Sequence, residues 1–224
     1  LELANRAIDR DPNLQQAWVN KAMVHFYRQE FNQSTEAFEH IGINHYRKTK
    51  FYSFANEYAK QKSDYKLLSV SDLVELMNKL QHIEASYLLA GYAEQHAFTL
   101  DDSIEIAIFM LKLTNRNIND LKIDVVKDDK KLIVNLSQTP RLYSLSALRN
   151  LPIKNLNIAN TSITISLNIT KMPLEELNIS HTKIKSGDLK AILNIPTLKK
   201  LIISKHQYKG FDFPEGTQIK VIRQ

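Results

Sequence analysis

Apolar residues change their spacing near residue 120. Before this position they recur every three or four residues, which predicts amphipathic helices. One predicted helical face carries Phe51, Phe54, Ala55 and Tyr58. After it, short apolar segments alternate with polar residues, as in Leu156-Asn157-Ile158, which is typical of strands with one buried side. The change predicts an α+β chain with a helical domain over residues 1–119 and a strand-rich domain over residues 120–224.

The strand-rich half contains a segment that occurs four times. Its inner apolar position advances from Val134 to Leu156, Leu177 and Leu201, in steps of 22, 21 and 24 residues. The pattern L-x-x-L-x-L-x-x-N/T-x-I and its period resemble the leucine-rich repeat. A single copy cannot bury its apolar side, whereas stacked copies join their Leu and Ile side chains into one core. The resemblance therefore implies a short parallel-sheet solenoid.

Further strand signals occur at both ends of this half. Leu121–Val126 and Lys131–Leu136 flank a charged turn, which predicts a hairpin at the start of the sheet. Residues 217–224 alternate like a final strand. Between the repeated strands, residues 185–194 predict a short helix on the opposite side, with Ser186 as its N-cap.

The helical half resembles the tetratricopeptide repeat over residues 1–41. Asp11-Pro12 stands where a preceding repeat would close, Trp18 at the aromatic position of the first helix and Ala22 at the small packing position. Phe38 occupies the aromatic position of the second helix. The residues that depart from the family pattern are Lys21, His25 and Ser34. The resemblance implies pairs of helices, packed onto or followed by the solenoid.

Local signals extend the helices to about residue 115. Ser71 precedes an apolar-periodic segment and is a predicted N-cap. Thr99 and Asp102 have the spacing of a capping box. Asn115 is the predicted stop of the last helix.

The sequence predicts no catalytic, cofactor-binding or metal-binding residues. It has no cysteine, and its seven histidines form no H-E-x-x-H motif or other zinc-ligand spacing. The G-x-x-x-x-G-K, G-x-S-x-G and H-R-D motifs of phosphate binding, hydrolysis and kinase catalysis are missing as well. We therefore expect a protein that is not an enzyme.

One histidine, His181, stands beside the hydroxyl residues Ser180 and Thr182. The corresponding positions of the other copies hold Gln138, Asn160 and Lys205. A catalytic residue is not expected to vary in this way between copies. We therefore interpret His181 as the variable turn position of the repeat.

The outward polar residues of the predicted strands form columns on the concave side of the sheet. Strands in register lie about 4.8 Å apart, so equivalent asparagines would stack with their side-chain amides paired. Such a ladder would stabilise the sheet. Alternatively, the strip recognises a protein or peptide partner. Under that hypothesis the candidate partner-binding residues are Asn135, Asn157, Asn178, Asn155, Glu176 and Lys200.

Charge is distributed unevenly along the chain. Residues 1–120 carry 13 Lys/Arg and 16 Asp/Glu, whereas residues 121–224 carry 17 and 8, a net charge of +9 in the second part. This surplus keeps open an alternative in which the basic half binds nucleic acid or an acidic partner. No RNP, helix-turn-helix or finger motif supports nucleic-acid binding, and a solvated lysine surface gives the same surplus.

The order of the two halves suggests a role in signalling. Helical repeats followed by leucine-rich repeats are similar to the regulatory C-terminal regions of some large bacterial serine/threonine protein kinases. The resemblance implies a scaffold, sensor or docking region beside a catalytic domain outside this chain. No apolar run is long enough for a membrane span, and no signal peptide is visible. We expect a cytoplasmic location, and a chain that begins within a helix is expected to be a piece of a larger protein.

Overall fold

The computed structural model describes residues 1–61, 66–96, 99–116, 118, 121–164, 167–213 and 219–224. Within these ranges the chain is α+β, with helices followed by a mostly parallel sheet. It forms two compact units, Leu1–Ile106 and Ala107–Gln224. The domain boundary predicted between residues 119 and 120 falls on positions outside the described residues.

Seven helices lie before residue 115 in the described part of the chain. They are α1 (Glu2–Arg10), α2 (Gln15–Tyr27), α3 (Phe31–Glu39), α4 (Tyr46–Gln61), α5 (Val70–Leu80), α6 (Ile83–His96) and α7 (Leu100–Thr114). In the first unit α1 packs against α2, α2 against α3, and α3 against α4. On α4 the predicted apolar face is confirmed, because Phe51, Ala55 and Tyr58 are buried and Phe54 is half-buried.

Two residues that depart from the helical-repeat pattern have specific partners in the first unit. The side chain of Ser34 is fully buried and its hydroxyl donates to the carbonyl oxygen of Ala22 at 2.9 Å. His25 is buried, and its Nδ1 lies 2.5 Å from Oε2 of Glu30. These polar side chains are tolerated in the α2–α3 packing because Oγ of Ser34 and Nδ1 of His25 each have a partner.

Trp18 is held on the surface of the same helix pair. Its Nε1 donates to the carbonyl oxygen of Pro12 at 2.8 Å. Its ring stacks on His40 with the ring centres 3.8 Å apart, and Nζ of Lys21 lies 5.2 Å from the ring centre. The third departure, Lys21, is therefore placed for a cation–π contact with Trp18.

Of two predicted helix N-termini, one is confirmed and the other is wrong. The capping box before α7 is confirmed, since Thr99 N–H donates to Asp102 and Asp102 N–H donates to Oγ1 of Thr99. The prediction of Ser71 as the N-cap of α5 is wrong. Ser69 holds that position, because its Oγ accepts the N–H of Asp72 at 3.2 Å and donates to the Asp72 carboxylate at 2.6 Å.

The predicted end of the last helix at Asn115 is confirmed. The side chain of this residue also binds the loop before β3. Asn115 is 1% exposed. Its Oδ1 accepts the backbone N–H groups of Tyr143 and Ser144 at 3.2 and 3.1 Å. Its Nδ2 donates to the carbonyl oxygens of Leu111 and Ser144 at 2.8 and 3.1 Å. One amide thus joins the end of α7 to the loop before β3.

The sheet of the second unit has six strands in the described residues. They are β1 (Asp124–Asp128), β2 (Lys131–Asn135), β3 (Ile153–Asn157), β4 (Glu176–Asn178), β5 (Lys200–Ile203) and β6 (Lys220–Arg223), in this order across the sheet. β1 and β2 form the predicted antiparallel hairpin, and all later pairs are parallel. β6 lies in the predicted final segment, of which residues 217 and 218 fall outside the described part.

The inner side of the sheet is formed by one column of apolar residues. These are Val134, Leu156, Leu177 and Leu201, each at most 2% exposed. Short elements lie between the strands along the chain, among them a 3₁₀ turn at Ser146–Leu148 and helix α8 (Ser186–Leu193), whose residues Leu148, Leu189 and Ile192 are buried. The predicted cap at Ser186 is wrong, because α8 already begins at Ser186 and its N-cap residue, Lys185, makes no side-chain capping bond.

Candidate functional site

The asparagines of the outer side each close a tight turn at the end of a strand. Oδ1 of Asn135, Asn157 and Asn178 accepts the backbone N–H two residues later, at 3.2, 3.1 and 3.0 Å respectively. One residue further, the backbone is left-handed in all three turns. The left-handed residues are Gln138, Asn160 and His181, with φ of 61°, 58° and 57°. This Asx geometry explains why asparagine recurs at the strand end.

His181 belongs to this recurring turn. Its side chain is exposed, and its backbone N–H donates to Oγ of Ser204 at 2.8 Å. The next residue, Thr182, donates its hydroxyl to the carbonyl oxygen of Ile179 at 2.8 Å. In the preceding turn, Thr161 makes the equivalent bond to the carbonyl oxygen of Ile158 at 2.8 Å. The interpretation of His181 as a turn position therefore agrees with its backbone conformation.

All six candidate residues lie on the outer side in the predicted register. The first column runs through Ile133, Asn155, Glu176, Lys200 and Lys220, and the second through Asn135, Asn157, Asn178, Ile202 and Ile222. All six candidates are half-buried. Both columns thus follow from the alternation of the sequence.

The predicted pairing of the asparagine amides is wrong in its detail. Within the described residues, no hydrogen bond joins the side chains of Asn157 and Asn178, although the two lie opposite each other. Each Oδ1 faces its own turn instead. At the edge, Nδ2 of Asn135 reaches Asp124 on β1 at 3.4 Å. Local turn closure therefore replaces the cross-strand ladder.

A shallow depression of about 300 Å³ lies on this outer side. Five of the six candidates line it, together with aliphatic residues from the same strands. The lining residues are Ile133, Val134, Asn135, Asn155, Leu156, Asn157, Glu176, Leu177, Asn178 and Ile202. The sheet thus combines a polar amide strip with the half-buried aliphatic residues Ile133 and Ile202 in one open recess.

Charges on the outer side concentrate toward β6. Nζ of Lys200 donates to Glu176 on the neighbouring strand at 3.1 Å. Lys220 lies directly opposite Lys200 on β6 and is exposed. Like charges on directly opposed residues repel, so one of the two lysines is balanced by Glu176 and the second is not balanced within the described residues.

A separate charge cluster lies beside the strand starts. Glu175 accepts from Lys131 at 2.5 Å and from Lys199 at 2.8 Å. These two ammonium groups lower the pKa of Glu175 to about 2. Nearby, Lys154 pairs with Asp128. Several basic residues of this half therefore already have acidic partners.

A second recess, of about 450 Å³, was not expected from the sequence. It lies between α8 and the loop after β5, and Lys183, Gln207 and Tyr208 are part of its wall. Burial raises the pKa of Tyr208 to about 12, against the opposing effect of hydrogen bonds to Thr182 and Gln207. The loop after β5 has no periodic pattern of apolar and polar residues. The sequence therefore did not predict the recess that Gln207 and its neighbours form.

No group of three or more His, Asp or Glu side chains is arranged to hold a metal ion among the described positions. None of the helices within the described ranges is long and apolar enough to cross a membrane.

No protein-family model, curated protein or solved structure matches this chain.

Proposed function

We propose that the second unit is a short leucine-rich-repeat solenoid whose outer, concave side binds an extended segment of a partner protein, without catalysis. The observation that carries this proposal is the recess of about 300 Å³ lined by both residue columns. The half-buried side chains of Ile133 and Ile202 lie beside the Nδ2 donors of Asn157 and Asn178. They supply the two contact types that protein interfaces use, apolar burial and oriented hydrogen bonds.

The repeat assignment draws support from two features. The strands that follow the hairpin are parallel and in register at equivalent sequence positions. The left-handed turn recurs after three strands with the same asparagine contact. The helical half, with α1 to α4 packed in sequence, is proposed as a tetratricopeptide-like companion of this solenoid.

The resemblance to regulatory regions of bacterial protein kinases suggests in which kind of protein this binding region acts. A binding region of this kind would serve as a docking or sensor segment of a bacterial signalling protein in the cytoplasm. Sequencing the gene on both sides of this region tests the idea, because it predicts a kinase domain upstream. A reading frame that starts near Leu1 would exclude this setting and leave the binding proposal intact.

The experiment for the binding proposal begins with a displayed library of random peptides, selected on the full chain. Enriched peptides are then titrated into ¹⁵N-labelled protein. We expect amide shifts concentrated at residues 155–157, 176–178 and 200–202. Shifts confined to other regions, or a selection with no enriched peptide, would refute the proposed surface.

Nucleic-acid binding through the basic half is the competing proposal. It rests on the net charge of +9 over residues 121–224. Lys131, Lys154 and Lys199 already pair with carboxylates, which reduces the charge available for phosphates. Titration with a labelled oligonucleotide at several salt concentrations tests this proposal. It predicts an affinity that falls steeply as salt rises, because phosphate binding weakens with salt; no binding at low salt would refute it.

A further inference from the structure

At the centre of the second outer column, the side chains of Asn157 and Asn178 present hydrogen-bond donors. Oδ1 of Asn157 and Asn178 is engaged by the turn N–H groups. Their Nδ2 groups have no acceptor among the described residues. An amide whose oxygen is committed offers only its N–H donors to a ligand. The centre of the strip therefore selects for acceptor atoms such as carbonyl and carboxylate oxygens.

The end of the strip near β6 adds positive charge and aliphatic surface. Lys220 faces Lys200, whose partner Glu176 balances only one of the two ammonium groups. Beside them Ile202 and Ile222 are opposed in register and half-buried. A carboxylate bound here would relieve the repulsion between the lysines, and an aliphatic side chain would cover the isoleucines.

We propose that the occupant of this surface is an acidic, extended protein segment that crosses the strands from β3 to β6. This inference rests on the proposed function and names the chemistry of its partner. Oxygen atoms of the segment accept from Asn157 and Asn178, and one of its carboxylates pairs with Lys220. Three strand spacings are about 14 Å, which an extended chain covers with roughly five residues.

A protein segment fits this surface better than a nucleic acid. Single-stranded nucleic acids are held by aromatic side chains on which bases stack. The described lining of the recess contains asparagine, glutamate and aliphatic residues, with no aromatic ring. Aliphatic side chains of a protein segment bury apolar area against such a lining, whereas a sugar–phosphate backbone does not.

The test uses octapeptides of alternating Asp and Leu as probes, with Asn–Leu and Lys–Leu octapeptides and oligo(dT) as comparisons. Each is titrated into the ¹⁵N-labelled full chain, and affinities are taken from the amide shifts of β3 to β6. We expect Asp–Leu to bind at least about tenfold more tightly than Lys–Leu. Lys220→Gln should weaken Asp–Leu several-fold, while Lys190→Gln on α8, which removes the same charge elsewhere, should not.

A second variant tests the amide donors without loss of the turn. Asn178→Asp keeps the oxygen that accepts the turn N–H and replaces the donor by an acceptor, so it should weaken Asp–Leu binding. Unchanged binding in both Lys220→Gln and Asn178→Asp would overturn the inference. Equally strong binding of Lys–Leu, or preferential binding of oligo(dT) at these residues, would overturn it as well.

The outcomes separate this inference from the function on which it rests. If library-selected peptides shift the outer residues but are basic or uncharged, the binding function stands and the acidic partner is refuted. If neither the selected peptides nor any probe shifts these residues, both are refuted.

Discussion

Asn157 and Asn178 lie directly opposite each other on β3 and β4, yet each turns its side-chain oxygen toward the turn of its own strand. The asparagine column is therefore a row of separate turn closures whose amide donors remain available. The side-chain oxygens of these asparagines stabilise the turns, and their amide N–H donors set the chemistry of the outer surface. The two roles can be tested separately.

Loss of one turn closure should have a modest effect on stability. Asn178→Ala removes the bond to the backbone N–H of Ser180 and should lower the free energy of unfolding by about 1 kcal/mol. Asn178→Asp retains the acceptor and should cost less. Urea unfolding of the full chain measures both. Equal losses for the two variants would show that the turn bond contributes little.

Replacement of Asn115 should be more severe. This buried side chain satisfies two backbone N–H groups and two carbonyl groups. Asn115→Ala removes the partner of three backbone groups in the loop before β3 and one bond to the Leu111 carbonyl of α7. The free energy of unfolding should fall by about 2–4 kcal/mol. Asn13→Ala, at an exposed position in the first unit, is the control. A loss below about 1 kcal/mol would mean that water replaces the amide.

The turn at His181 should accept residues according to backbone conformation rather than ring chemistry. With φ of 57°, His181→Gly and His181→Asn should leave the midpoint of thermal unfolding nearly unchanged, because both residues tolerate the left-handed region. His181→Val should cost about 1–2 kcal/mol, since a β-branched side chain is strained there. Selective loss of partner binding in His181→Asn, with folding intact, would contradict a purely conformational role.

The Glu175 cluster makes stability depend on acid pH. The neighbouring lysines lower the pKa of Glu175 to about 2, so its stabilising contribution is present above the ordinary glutamate pKa of about 4.3. It is lost as the pH falls toward about 2, because protonation removes the charge that the lysines stabilise. The difference in melting temperature between wild type and Glu175→Gln should shrink over this range. Glu105→Gln, an exposed carboxylate on α7, is the control, and a pH-independent difference for Glu175→Gln would refute the ion cluster.

Much of the architecture follows from periodic features of the sequence. The change of spacing near residue 120, the hairpin and the register of both outer columns could be predicted, because alternation fixes which side of a strand each residue faces. The end of α7 and its capping box were also predicted from local signals.

The details that sequence did not predict depend on competition between nearby partners. Ser69 and Ser71 are both suitable caps, and only the position of Asp72 relative to the helix start favours Ser69. The amide pairing failed because a backbone N–H two residues away competes with the neighbouring strand for the same oxygen. Three of the four bonds of Asn115 reach a loop nearly thirty residues later, which no local pattern encodes.

The proposed binding role of the outer side of the sheet is tested most directly by one affinity comparison. A peptide selected on the wild-type chain is titrated against Asn157→Asp/Asn178→Asp and against Thr164→Asp/Ala191→Asp, which adds the same charge at exposed positions elsewhere in the second unit. Circular dichroism verifies that each variant is folded. The dissociation constant should rise at least about tenfold, a loss of about 1.4 kcal/mol in binding free energy, only in the asparagine variant. Equal dissociation constants for the wild type and the asparagine variant would contradict the claim.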